Sequence, residues 1–193
     1  MANQTVLITG ANRGLGNSCI KALLASPSFS NGKILMGSRN LESGKDACEK
    51  LGDKRVEVVE LDVTSKHSIA SAAKTVRTMA PNGISALINN AGVLGEAEGE
   101  DVFGTNFTAV IDILARTHPD KFVKAVSPGF CLTGMCVNYK GERQPKEPEL
   151  GATVFVEALY GIGKGKSGVF LKQASSAGTP IHEAETVETN WST

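Results

Sequence analysis

Eight residues near the start, Thr9-Gly10-Ala11-Asn12-Arg13-Gly14-Leu15-Gly16, limit the fold more than any other stretch. An apolar run, Val6-Leu7-Ile8, precedes them as a buried strand. A helical pattern over 14–25 follows, with Ile20, Leu23 and Leu24 as its apolar stripe. Glycine permits both a tight turn and close approach of the backbone to a ligand. The helix behind the turn offers unpaired N–H groups and a positive dipole end to a pyrophosphate. An ordinary glycine-rich turn is the competing reading, and the strand–turn–helix setting favours the phosphate grip. The candidate binding residues here are Gly10, Asn12, Arg13, Gly14, Leu15 and Gly16.

The same alternation continues along the chain. Strands are predicted over 33–37, 56–61 and 85–89, with helices over 41–51 and about 65–79 between them. Further strands are expected over 122–126 and 169–171, and a helix over 149–160. Short links between strands and helices predict an α/β fold of the Rossmann type, a doubly wound, mostly parallel sheet covered on both faces. The length, 193 residues, suits one domain over 1–173. The polar, Ser/Thr/Glu-rich stretch 174–193 reads as a tail without regular structure, pinned by Trp191.

Charge excludes some partners. Twenty basic and twenty acidic residues balance, and no basic block predicts nucleic-acid binding. No apolar run is long enough to span a membrane. Met1-Ala2-Asn3-Gln4 lacks the features of a secretory signal. Cys19, Cys48, Cys131 and Cys136 form no C-x-x-C pair, and no His stands at ligand spacing. A reduced, cytoplasmic protein without a metal site is expected.

The second strand ends at Met36-Gly37-Ser38-Arg39. In dinucleotide folds this tip faces the adenosine ribose. An acid there binds the 2′-hydroxyl of NAD, whereas an Arg accommodates the 2′-phosphate of NADP. Arg39 is present and neither Gly37 nor Ser38 is an acid; Arg13 supplies a second positive charge. Two solvated arginines are the competing reading. Their joint placement favours NADP(H) over NAD(H) through charge-assisted phosphate contacts.

Two more motifs, Leu61-Asp62-Val63-Thr64 and Asn89-Asn90-Ala91-Gly92, complete a set that resembles the short-chain dehydrogenase/reductase family, most of all its carbonyl-reductase-like members. The resemblance runs from Gln4 to about Leu171. It implies that the glycine turn holds the pyrophosphate and that Asp62 and Val63 lie by the adenine. It places Asn90, Ala91 and Gly92 beside the cofactor. Ser127-Pro128-Gly129-Phe130, with Thr133, resembles the segment near the nicotinamide. Asn106, in Phe103-Gly104-Thr105-Asn106-Phe107, matches the family's catalytic-site Asn.

One part of the family pattern is missing. The resemblance implies a fifth strand carrying a catalytic Ser and a long helix carrying Tyr and Lys four residues apart. Here the stretch after Asn106 resembles the end of that helix and runs straight into Phe122. An internal deletion of the Ser and Tyr-x-x-x-Lys segment is the reading. It predicts a shortened sheet of about six strands, the Phe122 strand taking the place beside the fourth; strand exchange with another chain is the alternative. The lost helices are those by which many family members pair, so the oligomeric state is left open.

Other polar candidates are weaker. Tyr160 and Lys164 have the right spacing, but Gly161 and Gly163 argue against a helix, and the pair falls on the wrong side of Pro128-Gly129. Tyr139-Lys140 is adjacent rather than four apart. Glu96, Glu98, Glu100 and Asp101 read as a solvated loop, and His67 and His118 as helix-end residues. Three functions follow. The chain is an NADPH-dependent carbonyl reductase of weak or altered activity, a non-catalytic NADP(H)-binding sensor, regulator or interaction protein, or a truncated form without selected activity.

Overall fold

The computed structural model describes residues 4–63, 65–92, 124–127, 131, 133, 147–160, 169–172 and 185–188. The chain forms two compact units, Met1–Ala91 and Gly92–Thr193.

The first unit follows the predicted alternation. Its strands are β1 (Thr5–Ile8), β2 (Lys33–Ser38), β3 (Val56–Glu60) and β4 (Ala86–Ile88). Its helices are α1 (Gly14–Ala25), α2 (Leu41–Leu51) and α3 (Lys66–Met79), with a 3₁₀ turn at Pro27–Phe29. All four strands are parallel, in the order β3-β2-β1-β4. Val6, Ile8, Ile34, Leu35 and Met36 are fully buried, which is why β1 and β2 read as unbroken apolar runs rather than as alternating ones. Burying each such side chain contributes about 1.5–3 kcal/mol before entropy is counted. Leu7, Leu35, Val59 and Leu61 pack with Ala72 and Ala80, against Val76 and Met79 of α3.

Local signals explain where the helices stop and start. Asn40 caps α2, its Oδ1 accepting the N–H of Ser43 at 2.8 Å. Gly52 ends α2 at φ +63°, its N–H shared between the carbonyls of Cys48 and Glu49. Ser65 caps α3 by accepting the Ser68 N–H at 3.2 Å. At the other end of α3, Lys33 donates from Nζ to the Met79 carbonyl at 2.9 Å and pairs with Glu57 at 2.7 Å. The cation suits the negative end of the helix.

The second unit holds β5 (Lys124–Ser127), α4 (Pro148–Tyr160), β6 (Val169–Lys172) and β7 (Glu185–Glu188). Strands β5 and β6 are parallel, and β7 runs antiparallel to β6 with Phe170 opposite Val187. Helix α4 buries Ala152, Val154 and Phe155.

Ladders among the described residues join four strands in the first unit and three in the second. Of the strand expected over 122–126, the described part is β5, and its ladder runs to β6. The stretch read as an unstructured tail contains β7, because the short alternation Glu185-Thr186-Val187-Glu188 pairs with an apolar neighbour strand that local composition does not reveal.

Candidate functional site

Parallel pairing brings the C-terminal ends of β1 to β4 to one edge of the sheet. Every candidate from the first unit follows one of those ends. The glycine turn follows Ile8, Arg39 follows Ser38, Asp62 and Val63 follow Glu60, and Asn90 and Ala91 follow Ile88. Gly92 comes next in the chain. Strand β1 has β2 on one side and β4 on the other, so the turn stands where the strand order reverses. Crevices at such switch points are where open α/β sheets bind ligands.

The turn is built by backbone geometry and by its neighbours. Gly10 and Gly14 have φ of +61° and +56°, a region costly for any side chain. Gly16 is needed for space. A Cβ there would stand 2.5 Å from Asn90 Nδ2 and 2.8 Å from the Ala11 Cα. The Ala11 N–H donates to the Gly37 carbonyl at 2.9 Å and ties the turn to β2. Thr9 N–H donates to the Ile88 carbonyl at 3.0 Å and ties it to β4.

Asn90 and Thr9 complete the frame. Asn90 Nδ2 donates to the carbonyls of Thr9 at 2.9 Å and Gly10 at 3.1 Å. The Thr9 hydroxyl oxygen accepts the N–H groups of Asn90 and Ala91 at 3.0 and 2.9 Å. Asn90 therefore serves the turn through its side chain.

Helix α1 differs from its neighbours at its start. Arg13 stands at its N-cap with extended backbone, no side chain caps the helix, and its first turn holds no acid. Helices α2 and α3 use Asn40 and Ser65 for that purpose. The amide donors at the start of α1 are thus left to an anion, and an open backbone cradle beneath a positive dipole end fits a pyrophosphate.

The second strand end is also defined. Arg13 and Arg39 are both exposed. A Cβ on Gly37 would meet the Ile8 carbonyl oxygen at 2.9 Å and the Thr9 Cα at 3.2 Å, so packing excludes an acid there. Ser38 is fully buried, with its hydroxyl donating to the Asn40 carbonyl at 2.7 Å. At the third strand end, the Asp62 N–H donates to Ser68 Oγ at 2.9 Å, and Val63 is exposed.

The remaining candidates stand apart from this geometry. Asn106, Pro128 and Gly129 lie outside the described residues, as do Lys164, Tyr139, Lys140 and His118. Thr133 is a half-buried residue of the second unit. Tyr160 is the last residue of α4, as expected for a helix exit, and burial pushes its phenol up. His67 is exposed in the first turn of α3.

Some residues that hold the frame have no motif to mark them. Thr9 is only 4% exposed and its hydroxyl joins two strands, a role hidden in a turn read for its glycines. Asn40 carried a usable signal, an Asn directly before a helical pattern. Ser38 carries none, because its importance is a matter of which neighbours touch it.

The sequence profile of the family described as "short chain dehydrogenase" matches residues 4–125. "Short-chain dehydrogenase/reductase prx1" of Penicillium roqueforti is 37% identical over 117 residues, 60% of this chain and 33% of that protein. The chain thus matches about a third of that curated relative's length. Among solved structures, "Carbonyl reductase Sniffer" of D. melanogaster has a TM-score of 0.73 at 17% identity, covering 90% of this chain and 98% of the other. A 3-ketoacyl-(acyl-carrier-protein) reductase from Brucella melitensis, complexed with NADH, has a TM-score of 0.70 at 14% identity, covering 88% and 96%. At these identities the structural likeness speaks for the fold.

Proposed function

The chain belongs to the short-chain dehydrogenase family, and from that premise we propose that it is an NADP(H)-binding oxidoreductase of the family, reducing a small carbonyl substrate with weak or altered activity. The observation that carries the cofactor part is the uncapped start of α1 behind the Gly10–Gly14–Gly16 turn. There the residues bind and orient. Backbone N–H groups of the turn receive the pyrophosphate, Asp62 and Val63 flank the adenine, and Asn90, Ala91 and Gly92 line the way to the reacting end. Pro128, Gly129 and Thr133 are proposed near the nicotinamide. The bound dinucleotide supplies the hydride.

Preference for NADP(H) rests on Arg39 and Arg13, with no room for an acid at Gly37. A 2′-phosphate placed there gains charge-assisted hydrogen bonds that a 2′-hydroxyl cannot match. The NADH complex of the Brucella melitensis reductase belongs to that protein, and its likeness reaches the fold alone.

Weak activity follows from the proposed internal deletion. Reduction of a carbonyl needs a proton donor within hydrogen-bond reach of the reacting oxygen. Between Asn106 and Pro128 the sequence holds no Tyr and no Ser except Ser127. A water positioned by Asn106 is the proposed stand-in, giving its proton to the carbonyl oxygen and regaining one from solvent, and positioning alone sustains slow turnover. The same gap favours a second reading, a non-catalytic NADP(H)-binding sensor, regulator or interaction protein. A cytoplasmic location suits either. No helix among the described residues is long and apolar enough to cross a membrane.

NADPH oxidation with a panel of quinones, aldehydes and ketones tests the enzyme. Turnover that Asn106→Ala abolishes while NADPH still binds supports it; binding without turnover on any substrate moves the account to the second reading. Titration of Arg39→Asp tests the cofactor choice. NADPH should weaken more than NADH, and equal losses would count against a 2′-phosphate contact.

A further inference from the structure

The loop that presents Arg39 is fastened on both sides of the arginine. Before it, Ser38 is the last residue of β2 and is fully buried. Its carbonyl accepts the Leu61 N–H at 2.9 Å, and its hydroxyl donates to the Asn40 carbonyl at 2.7 Å. After it, the same Asn40 carbonyl accepts the Gly44 N–H at 3.1 Å, while Asn40 Oδ1 accepts the Ser43 N–H at 2.8 Å. The first turn of α2 is drawn down onto the strand end. A Cβ on Gly44 would approach Val58 Cγ1 to 2.6 Å and Ser38 Cβ to 3.0 Å. One exposed residue, Arg39, therefore sits between two anchored ones.

We infer that Ser38 and Asn40 are positioning residues for Arg39, so that cofactor choice depends on a backbone clamp as well as on the guanidinium itself. This rests on the NADP(H) reading above. An arginine side chain is long and rotamer-rich, and a planar guanidinium meets a phosphate in a narrow set of geometries. With the backbone held, only the side chain must be ordered when a phosphate arrives. With either anchor removed, backbone ordering is added to the cost of each phosphate contact. The penalty falls on the ligand that uses Arg39 and spares the one that does not. Neither Ser38 nor Asn40 has to touch the dinucleotide for this to hold.

The test is equilibrium binding of NADPH and of NADH, followed by nicotinamide fluorescence. It uses the full chain as wild type, Ser38→Ala, Asn40→Ala, Asn40→Ser and Arg39→Ala. Asn40→Ser keeps a capping oxygen on the loop, whereas Asn40→Ala removes it. In Ser38→Ala and Asn40→Ala the NADPH affinity should fall roughly fivefold, the size of one lost capping interaction. NADH affinity should stay within about twofold, because its contacts do not run through Arg39. Asn40→Ser should restore most of the preference. Equal losses of both dinucleotides, or an unchanged preference in both alanine variants, overturn the clamp. If Arg39→Ala alone erases the preference, the NADP(H) reading stands and the clamp falls. A wild-type protein with no preference for NADPH overturns both.

Discussion

Thr9 and Asn90, 81 positions apart, hold each other at the ends of neighbouring strands: the Thr9 hydroxyl oxygen accepts the Asn90 N–H at 3.0 Å, and Asn90 Nδ2 donates to the Thr9 carbonyl at 2.9 Å. This exchange fixes the glycine turn against β4 at the switch point of the sheet. Replacing Thr9 by Val keeps the shape and removes the acceptor of two N–H groups. Chemical denaturation should show a loss of about 1–3 kcal/mol. NADPH titration of the same variant should show weaker binding, because the turn loses its support on one side.

Glycines in this unit serve different ends, and two substitutions separate them. Gly16→Ala places a methyl against the Ala11 backbone and Asn90 Nδ2. Overpacking of this kind costs about 1–3 kcal/mol, and here it also displaces the turn that faces the ligand. NADPH affinity should drop about tenfold or more, equal to about 1.4 kcal/mol. Gly83 has φ +82° and open space around its missing Cβ. Gly83→Ala should cost about 1 kcal/mol of strain in a thermal melt and leave NADPH affinity unchanged.

Arg55 closes the far end of α1. Its guanidinium donates to the carbonyls of Leu24 and Phe29, both at 3.3 Å, and pairs with Asp53 at 2.7 Å. The Arg55 hydrogen bonds hold the Asp53 carboxyl below the usual range. That contribution is present above the unfolded Asp pKa and is lost as pH falls through the lower folded one. The pair is partly exposed, so the ion pair by itself is worth little. Arg55→Ala should therefore destabilise by about 1–2 kcal/mol in urea, mostly through the uncapped carbonyls. Asp53→Asn should cost less, a difference that a paired denaturation experiment reads directly.

Cys19 is fully buried on α1, and burial pushes its thiol from 9.0 up to about 12. The sign follows from linkage. The unfolded thiol ionises first, so this contribution is whole below pH 9 and is lost as pH rises toward 12. Between pH 8 and about 10.5 the wild type should lose more stability than Cys19→Ala, measured by denaturation at each pH. Native Cys19 should also resist alkylation at pH 8, with unfolding required for reaction.

The first unit was legible from the sequence because its cues are local. Helix α2 spans the periodic stretch Leu41–Leu51, bounded in the sequence itself by Asn40 and Gly52. The ends of β1 to β4 were placed within two residues. The turn was legible through its glycines, yet its framing by Thr9 and Asn90 was not. That framing depends on a parallel register between β1 and β4, a contact across most of the unit. Ser38 and Gly44 stayed silent for the same reason, since each matters through a neighbour from another element. Strand β7 escaped because four residues with two glutamates carry little strand preference until a partner strand stands beside them.

The central claim is that the turn between β1 and α1 holds a nicotinamide dinucleotide. Fluorescence titration of the wild-type chain with NADPH tests it most directly. Saturable binding near one dinucleotide per chain, weakened in Gly16→Ala, is the predicted result. A titration that rises without saturating, or that is the same for wild type and Gly16→Ala, would contradict it.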